Sequence, residues 1–219
     1  DERGDLFQAD TVRVQGLSIA DLADDRPDDV DASLVAAIRR AGYEYVDRFD
    51  GMNDDATRSF LFGLAEPVTH TGLKASYAFS EAVSGTLLVA NGWDVVKDNN
   101  SSKTMGLGLT LTPGPKTTFT ISYLYGPEQA GNNSDSRGLL DVVATLKPTD
   151  TVTVGFNLDW GTEQGLAAGG GTAGWWGVAG YLRLGLTPTF AAILRAEYFD
   201  DRDGVRTGTV QRLKELTLT

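Results

Sequence analysis

The sequence predicts an all-β chain: an antiparallel, up-and-down β-barrel of the outer-membrane type, present in part as about ten strands and preceded by a short acidic region with a helix. Three observations predict it. Apolar residues recur with period two over most of the chain, connections alternate between short and long, and aromatic residues gather where strands meet the long connections.

The elements follow in order. Residues 1–58 hold 15 acidic and 7 basic residues, net −8 of the total −11, which leaves −3 for the remainder and marks a boundary. Residues 1–57 are therefore set apart as an acidic N-terminal region of unassigned role. It is partly helical: Leu34, Val35, Ile38 and Ala41 recur at helical spacing, Asp31 or Ser33 is placed to cap that helix, and Gly42 to end it. The run Asp24, Asp25, Asp28, Asp29, Asp31 reads either as a solvated face or as an interaction arm.

Beyond residue 58 the period changes to two. Phe119, Ile121, Tyr123 and Tyr125 share one face of a strand whose other face carries Thr118, Thr120 and Ser122. Met105, Leu107, Leu109 and Leu111 alternate with Gly106, Gly108, Thr110 and Thr112. Val152, Val154, Phe156, Leu158 and Trp160 alternate with Thr153, Gly155, Asn157 and Asp159. Weaker alternation predicts strands at 73–79, 84–93, 139–146, 178–186, 190–198 and 209–218, with a first strand near 59–64. Short connections fall at 80–82, 113–115, 148–150 and 187–189. Long polar ones fall at 94–103, 126–137, 161–174 and 200–208, the Gly/Ala-rich part of 161–174 being expected as a flexible loop. Tight turns on one rim and long loops on the other are the pattern of an outer-membrane barrel. A soluble sheet with aromatic strand ends is the competing reading of the same alternation.

Composition excludes several classes. The absence of cysteine removes disulfide frameworks, thiolate metal sites and cysteine nucleophiles. A net charge of −11 argues against nucleic acid as a partner. No run reaches the roughly 18–20 apolar residues of a membrane-spanning helix, whereas barrel strands escape such a scan because alternate residues are polar.

The stretch 58–72 (RSFLFGLAEPVTHTG), followed by Ala75, Ser76 and Tyr77 and then by Asn91, Gly92, Trp93 and Asp94, resembles the β-barrel porin-2 family of OmpL-like outer-membrane porins. Tyr123 to Pro127 and Ala196 to Asp200 resemble strand ends of the same family. The likeness runs over about 58–219. It implies a bacterial outer-membrane location and a porin passing small hydrophilic solutes, including ions, by passive diffusion. Such a porin would have further strands before residue 59 and an aromatic residue ending its last strand, so residues 58–219 are expected to be a barrel meander truncated at both ends. Further chain, or a partner in a homo-oligomer, would close it, because open edges in lipid are costly.

Alternation assigns Lys74, Ser76, Asp141, Thr153, Asn157, Asp159, Arg183, Arg195 and Glu197 to the lumen, where pore-lining side chains set charge and width. Arg195 and Glu197 share a face that Arg183 is placed to reach, which suits a selectivity role and a cross-strand ion-pair network equally. Trp93, Tyr123, Tyr125, Trp160, Trp175, Trp176 and Tyr198 are expected as the membrane-interface girdle, against lipid and lipopolysaccharide. The sequence offers no catalytic set, metal site or cofactor motif. His70 stands alone beside a turn, and the calcium-loop likeness of Asp200, Asp201, Asp203 and Gly204 fails because Phe199 and Val210 occupy ligand positions. The rival function is a structural barrel that anchors a partner and does not conduct. An outer-membrane enzyme ranks third.

Overall fold

A computed structural model describes residues 44–46, 58–187 and 189–219. The helix expected around Leu34–Ala41 lies outside the described residues. The rest is one antiparallel sheet of ten strands in strict sequence order, each hydrogen-bonded to the next. They are β1 (Glu44–Val46), β2 (Gly72–Ser80), β3 (Val83–Ala90), β4 (Thr104–Gly114), β5 (Thr117–Pro127), β6 (Ser136–Leu146), β7 (Val152–Ala167), β8 (Gly171–Thr187), β9 (Phe190–Asp201) and β10 (Gln211–Leu218). Among the described residues the sheet does not close into a ring: β1 and β10 are its two edges. No helix among the described residues is long and apolar enough to cross a membrane.

Nine of the strands lie where alternation places them. The exceptions carry physical reasons. The strand expected at 59–64 is instead a short π-helix, Leu61–Ala65. Its apolar run has no clean alternation, and Leu61 and Ala65, four apart on one helical face, are both fully buried. The tenth strand is β1, which pairs Glu44 with Lys74 and Val46 with Gly72. The sheet thus begins ahead of the boundary expected at 58; three paired residues among aspartates leave no periodic signal.

The loop expected at 161–174 is mostly ladder. β7 and β8 pair outward as far as Ala167 and Gly171, so only Ala168–Gly170 remain at the tip. Gly169 (φ 76°) and Gly170 (φ 81°) supply the left-handed backbone that lets the chain reverse so tightly.

The two faces of the sheet are inverted relative to a soluble protein. On β7, Val154, Phe156 and Trp160 are exposed, whereas Thr153, Asn157, Asp159 and Glu163 are buried. Leu107, Leu109, Ile121, Tyr123 and Leu194 are likewise exposed, with Leu107 62% open. On the polar face Trp93, just beyond β3, meets Trp175 of β8 with ring centroids 6.2 Å apart. Five ladder steps separate these strands, about 24 Å along a flat sheet at roughly 4.8 Å per strand. The contact and the buried polar face together mean that the sheet is curled with that face inside.

Candidate functional site

The ladder register fixes which side chains share the inner face. One inner row reads Ser76, Thr86, Gly108, Ser122, Asp141, Asp159, Gly177, Phe199 and Leu213 from β2 to β10. The next row toward the short turns contains Thr120, Val143, Asn157, Ala179, Glu197 and Glu215. Beyond it come Gly155, Tyr181, Arg195 and Thr217, and then Thr153, Arg183 and Ile193. Lys74 belongs to the row of Leu88, Gly106, Leu124, Leu139, Gly161 and Trp175. All nine side chains that alternation assigned to the lumen therefore stand on this one face.

Their contacts separate them into groups. Arg195 lies 2.7 Å from Glu197 through Nε, a charge contact without hydrogen-bond alignment, and donates from Nη2 to Glu215 on β10 at 2.7 Å. Arg183 lies one row nearer the short turns than Arg195, opposite Thr153 and Ile193. Asp141 and Asp159 are direct cross-strand partners. Asn157 donates to Asp141 at 2.8 Å, while both carboxylate oxygens of Asp159, wholly buried, have no hydrogen-bond partner. Ser76 and Thr86 join through their hydroxyls at 3.0 Å.

This polar interior lies behind an apolar exterior. The outward run from Val152 to Trp160 matches the roughly 9–11 residues of a tilted membrane-spanning strand. A family model described as "Putative beta-barrel porin-2, OmpL-like" matches residues 40–219. The chain belongs to this family. No curated protein and no solved structure matches it. The match starts upstream of the likeness visible in the sequence and takes in β1. As a porin-2 family member the chain falls in a class of membrane β-barrels whose members generally do no chemistry.

The aromatic residues of this porin-2 chain divide. Tyr123, Tyr125 and Trp160 are exposed on the outer face, and Trp176 packs there on Tyr198 with ring centroids 5.1 Å apart. Trp93 and Trp175 are corrected: both are buried, Trp175 completely, so neither stands at a membrane interface. Trp175 points inward because adjacent strand residues face opposite ways and Trp176 takes the outer side. Trp93 lies under two guanidinium groups, Arg137 at 4.6 Å and Arg206 at 5.2 Å.

The inner face at the long-loop end holds what alternation did not single out. Leu61, Ala65, Trp93, Leu139, Trp175, Ala179 and Phe199 form a dry cluster around the π-helix. Beside it Arg137 pairs with Glu163, Nη2 to Oε2 at 2.6 Å, and Gln129 donates to Glu163. Glu128 accepts the Trp93 N–H at 2.7 Å and the Thr104 hydroxyl. Burial pushes its carboxyl above the usual range, against the pull of those donors and Arg137. Parity along β7 could have placed Glu163 inside with Asp159; the π-helix and Arg206 come from connections, where parity says nothing.

His70 is held in the connection before β2. Burial lowers its imidazole below the usual range, opposed by Asp94. Asp94, at φ 55°, accepts the Val68 and Thr69 N–H groups at 2.7 Å each and so ties that connection to the next loop. Asp201 does similar work in the β9–β10 connection, taking N–H donors from Val205, Arg206 and Thr207. These acids are turn-forming groups. Among the described residues no three or more His, Cys, Asp or Glu side chains gather as a metal site.

Proposed function

We propose that this chain forms wall of an outer-membrane channel through which small hydrophilic solutes diffuse passively. The single observation that supports it best is the inversion of the sheet: large apolar side chains face out while Asp141, Thr153, Asn157, Asp159, Arg195 and Glu197 are enclosed. A soluble protein with its apolar face outward would expose far more contiguous hydrophobic surface than water tolerates. A lipid bilayer, with lipopolysaccharide at the long-loop rim, is the partner that suits this outer face. The edges β1 and β10 are completed in the membrane by further strands, since backbone groups unpaired in hydrocarbon cost several kcal/mol each.

The charged groups of the lumen are mixed in sign in this reading, Lys74, Arg183 and Arg195 standing on the same face as Glu197 and Glu215. Buried acids outnumber buried bases on and beside the inner face, where Arg195 is the one fully enclosed base among the described residues. Glu163 and Glu197 on this face are each engaged by an arginine.

Planar-bilayer recording of the purified protein under a potassium chloride gradient tests the reading. Discrete conductance steps are expected. A protein that inserts without any steps would sink the channel reading. The dry cluster around Leu61 is the observation that favours the second reading, a barrel that anchors a partner and conducts nothing, and silent insertion is its signature.

A further inference from the structure

The interior of a water-filled channel has no need of a dry apolar cluster, yet this one is fastened from both sides. At the N-terminal end of the segment, Glu197 accepts the Phe60 N–H at 2.6 Å and Arg195 donates to the Arg58 carbonyl at 3.3 Å. At the other end, the Trp175 indole donates to the Ala65 carbonyl at 2.9 Å and Arg206 Nε to the Leu64 carbonyl at 2.5 Å. Orphan backbone groups of a short helix are thus satisfied by side chains of β8, β9 and the β9–β10 connection. The wall is shaped to receive it. A Cβ at Gly177 would come within 2.8 Å of Leu61 Cδ1, and one at Gly161 within 2.0 Å of the Trp175 ring. Both positions on the ladder leave out a side chain where the segment and its indole lie.

We propose that residues 58–66 are a fixed constriction that sets the upper size of solute passing this channel. The proposal rests on the channel reading and names the part of the interior that selects by size. Leu61 and Ala65 are fully buried, and both ends of the helix are anchored, so the segment stays against the β7–β9 wall and occupies cross-section there. Solutes pass on the opposite side, where, level with Gly177 and Glu197, β3–β5 carry the small Ser84, Thr86, Gly108, Thr110, Thr120 and Ser122, whereas Leu88 and Leu124 stand one row nearer the long loops. The ladder itself does not use the segment, since β2 begins only at Gly72.

The test replaces residues 59–66 of the whole protein by an equal length of glycine and serine, with heat-modifiability on a semi-native gel as the check of folding. Liposome swelling with sugars of increasing size should then show a raised cut-off, and unit conductance should rise about twofold, because pore diameter governs both. Leu61→Ala, which leaves the anchors in place, should give a smaller rise, and it serves if the replacement does not fold. An unchanged cut-off in a folded variant overturns the proposal. So does a wild-type protein that is silent while the replaced variant conducts, for the segment is then a stopper rather than a size limit. If neither conducts, the channel reading fails first, and the seating of the segment is decided separately by labelling. In this cysteine-free chain, Leu61→Cys should react with a membrane-impermeant maleimide about tenfold more slowly than Ser76→Cys. Equal rates would overturn the fixed seat whatever the conductance.

Discussion

The inner faces of β3–β5 and β6–β9 belong to one continuous ladder but are lined differently. Apart from Leu88 and Leu124 at the long-loop end, β3–β5 present Ser84, Thr86, Gly106, Gly108, Thr110, Thr120 and Ser122, small side chains joined by hydroxyl contacts such as Thr110 to Thr120 at 3.3 Å. β6–β9 present Asp141, Asp159, Glu163, Trp175, Arg195, Glu197 and Phe199, charged or bulky and mostly tied into a network. Both satisfy the same alternation, and both have apolar residues on the opposite side. A ladder fixes only which way a side chain points; what occupies the enclosed space is decided by size and charge, wall by wall. Here the bulk lies on the wall that receives residues 58–66.

The largest expected break of that contrast comes at Gly161. Its Cβ would meet Trp175 Cε2 at 2.0 Å, so Gly161→Ala should unseat the indole and cost about 3–5 kcal/mol, as loss of a packed Trp does. The counterpart on the other wall is Gly108→Ala, where the nearest heavy atom lies at 3.4 Å. It should cost less than about 1 kcal/mol, since ordinary contact requires little rearrangement and alanine suits a strand better than glycine. Urea titration of both variants in one detergent checks the pair; similar midpoints would erase the contrast between the walls.

Next in size is Arg195→Met. It leaves Glu197 and Glu215 facing each other with their shared cation removed, and a buried pair broken from one side costs about 3 kcal/mol. The unfolding midpoint should fall, and Arg195→Lys should recover only part because it cannot fork between two carboxylates. Full recovery by lysine would mean that charge alone matters there.

A smaller effect concerns acidity. The Glu128 carboxyl is raised above its usual value by burial, so the folded state holds that proton more tightly than the unfolded chain. Its stabilising contribution is complete below the unfolded value of 4.5 and is lost as pH rises through the raised folded value. Glu128→Gln should therefore flatten the decline in stability as pH rises above 4.5, relative to the wild type. Parallel pH profiles would show that Glu128 is not the group responsible.

The smallest effect sharpens the comparison from the quiet wall. Ser76→Ala removes the exposed hydroxyl contact to Thr86 and nothing buried, so a change of about 0.5 kcal/mol is expected. A loss as large as that of Arg195→Met would mean that the β2–β5 wall carries structural weight its contacts do not show.

Much of the fold was legible because period two is a local property. Thr153, Asn157 and Asp159 could be set apart from Val154, Phe156 and Trp160 by counting along β7, and the ladder places them so. The same counting puts the nine candidate lumen residues on one face, as the register does. Proximity to a long connection, shared by Trp93, Trp175 and Trp176, does not tell which way a ring faces, whereas parity does: of the adjacent Trp175 and Trp176 only one can point outward. The short apolar run at 59–64 fits a strand or a helix equally, and the contacts of Leu61 and Ala65 with β7–β9 decide for the helix.

What the sequence by itself determined is the strand parity, the order of the hairpins and the sign of each face, since all three follow from the spacing of apolar side chains along a few residues. Only the tertiary structure decided that Glu44–Val46 joins the sheet, that the π-helix lies inside it, and that Glu197, Trp175 and Arg206 fasten that helix. Those partners stand more than 100 residues away along the chain. Such contacts leave no local period, because they arise from the curling that brings distant strands around one enclosed space.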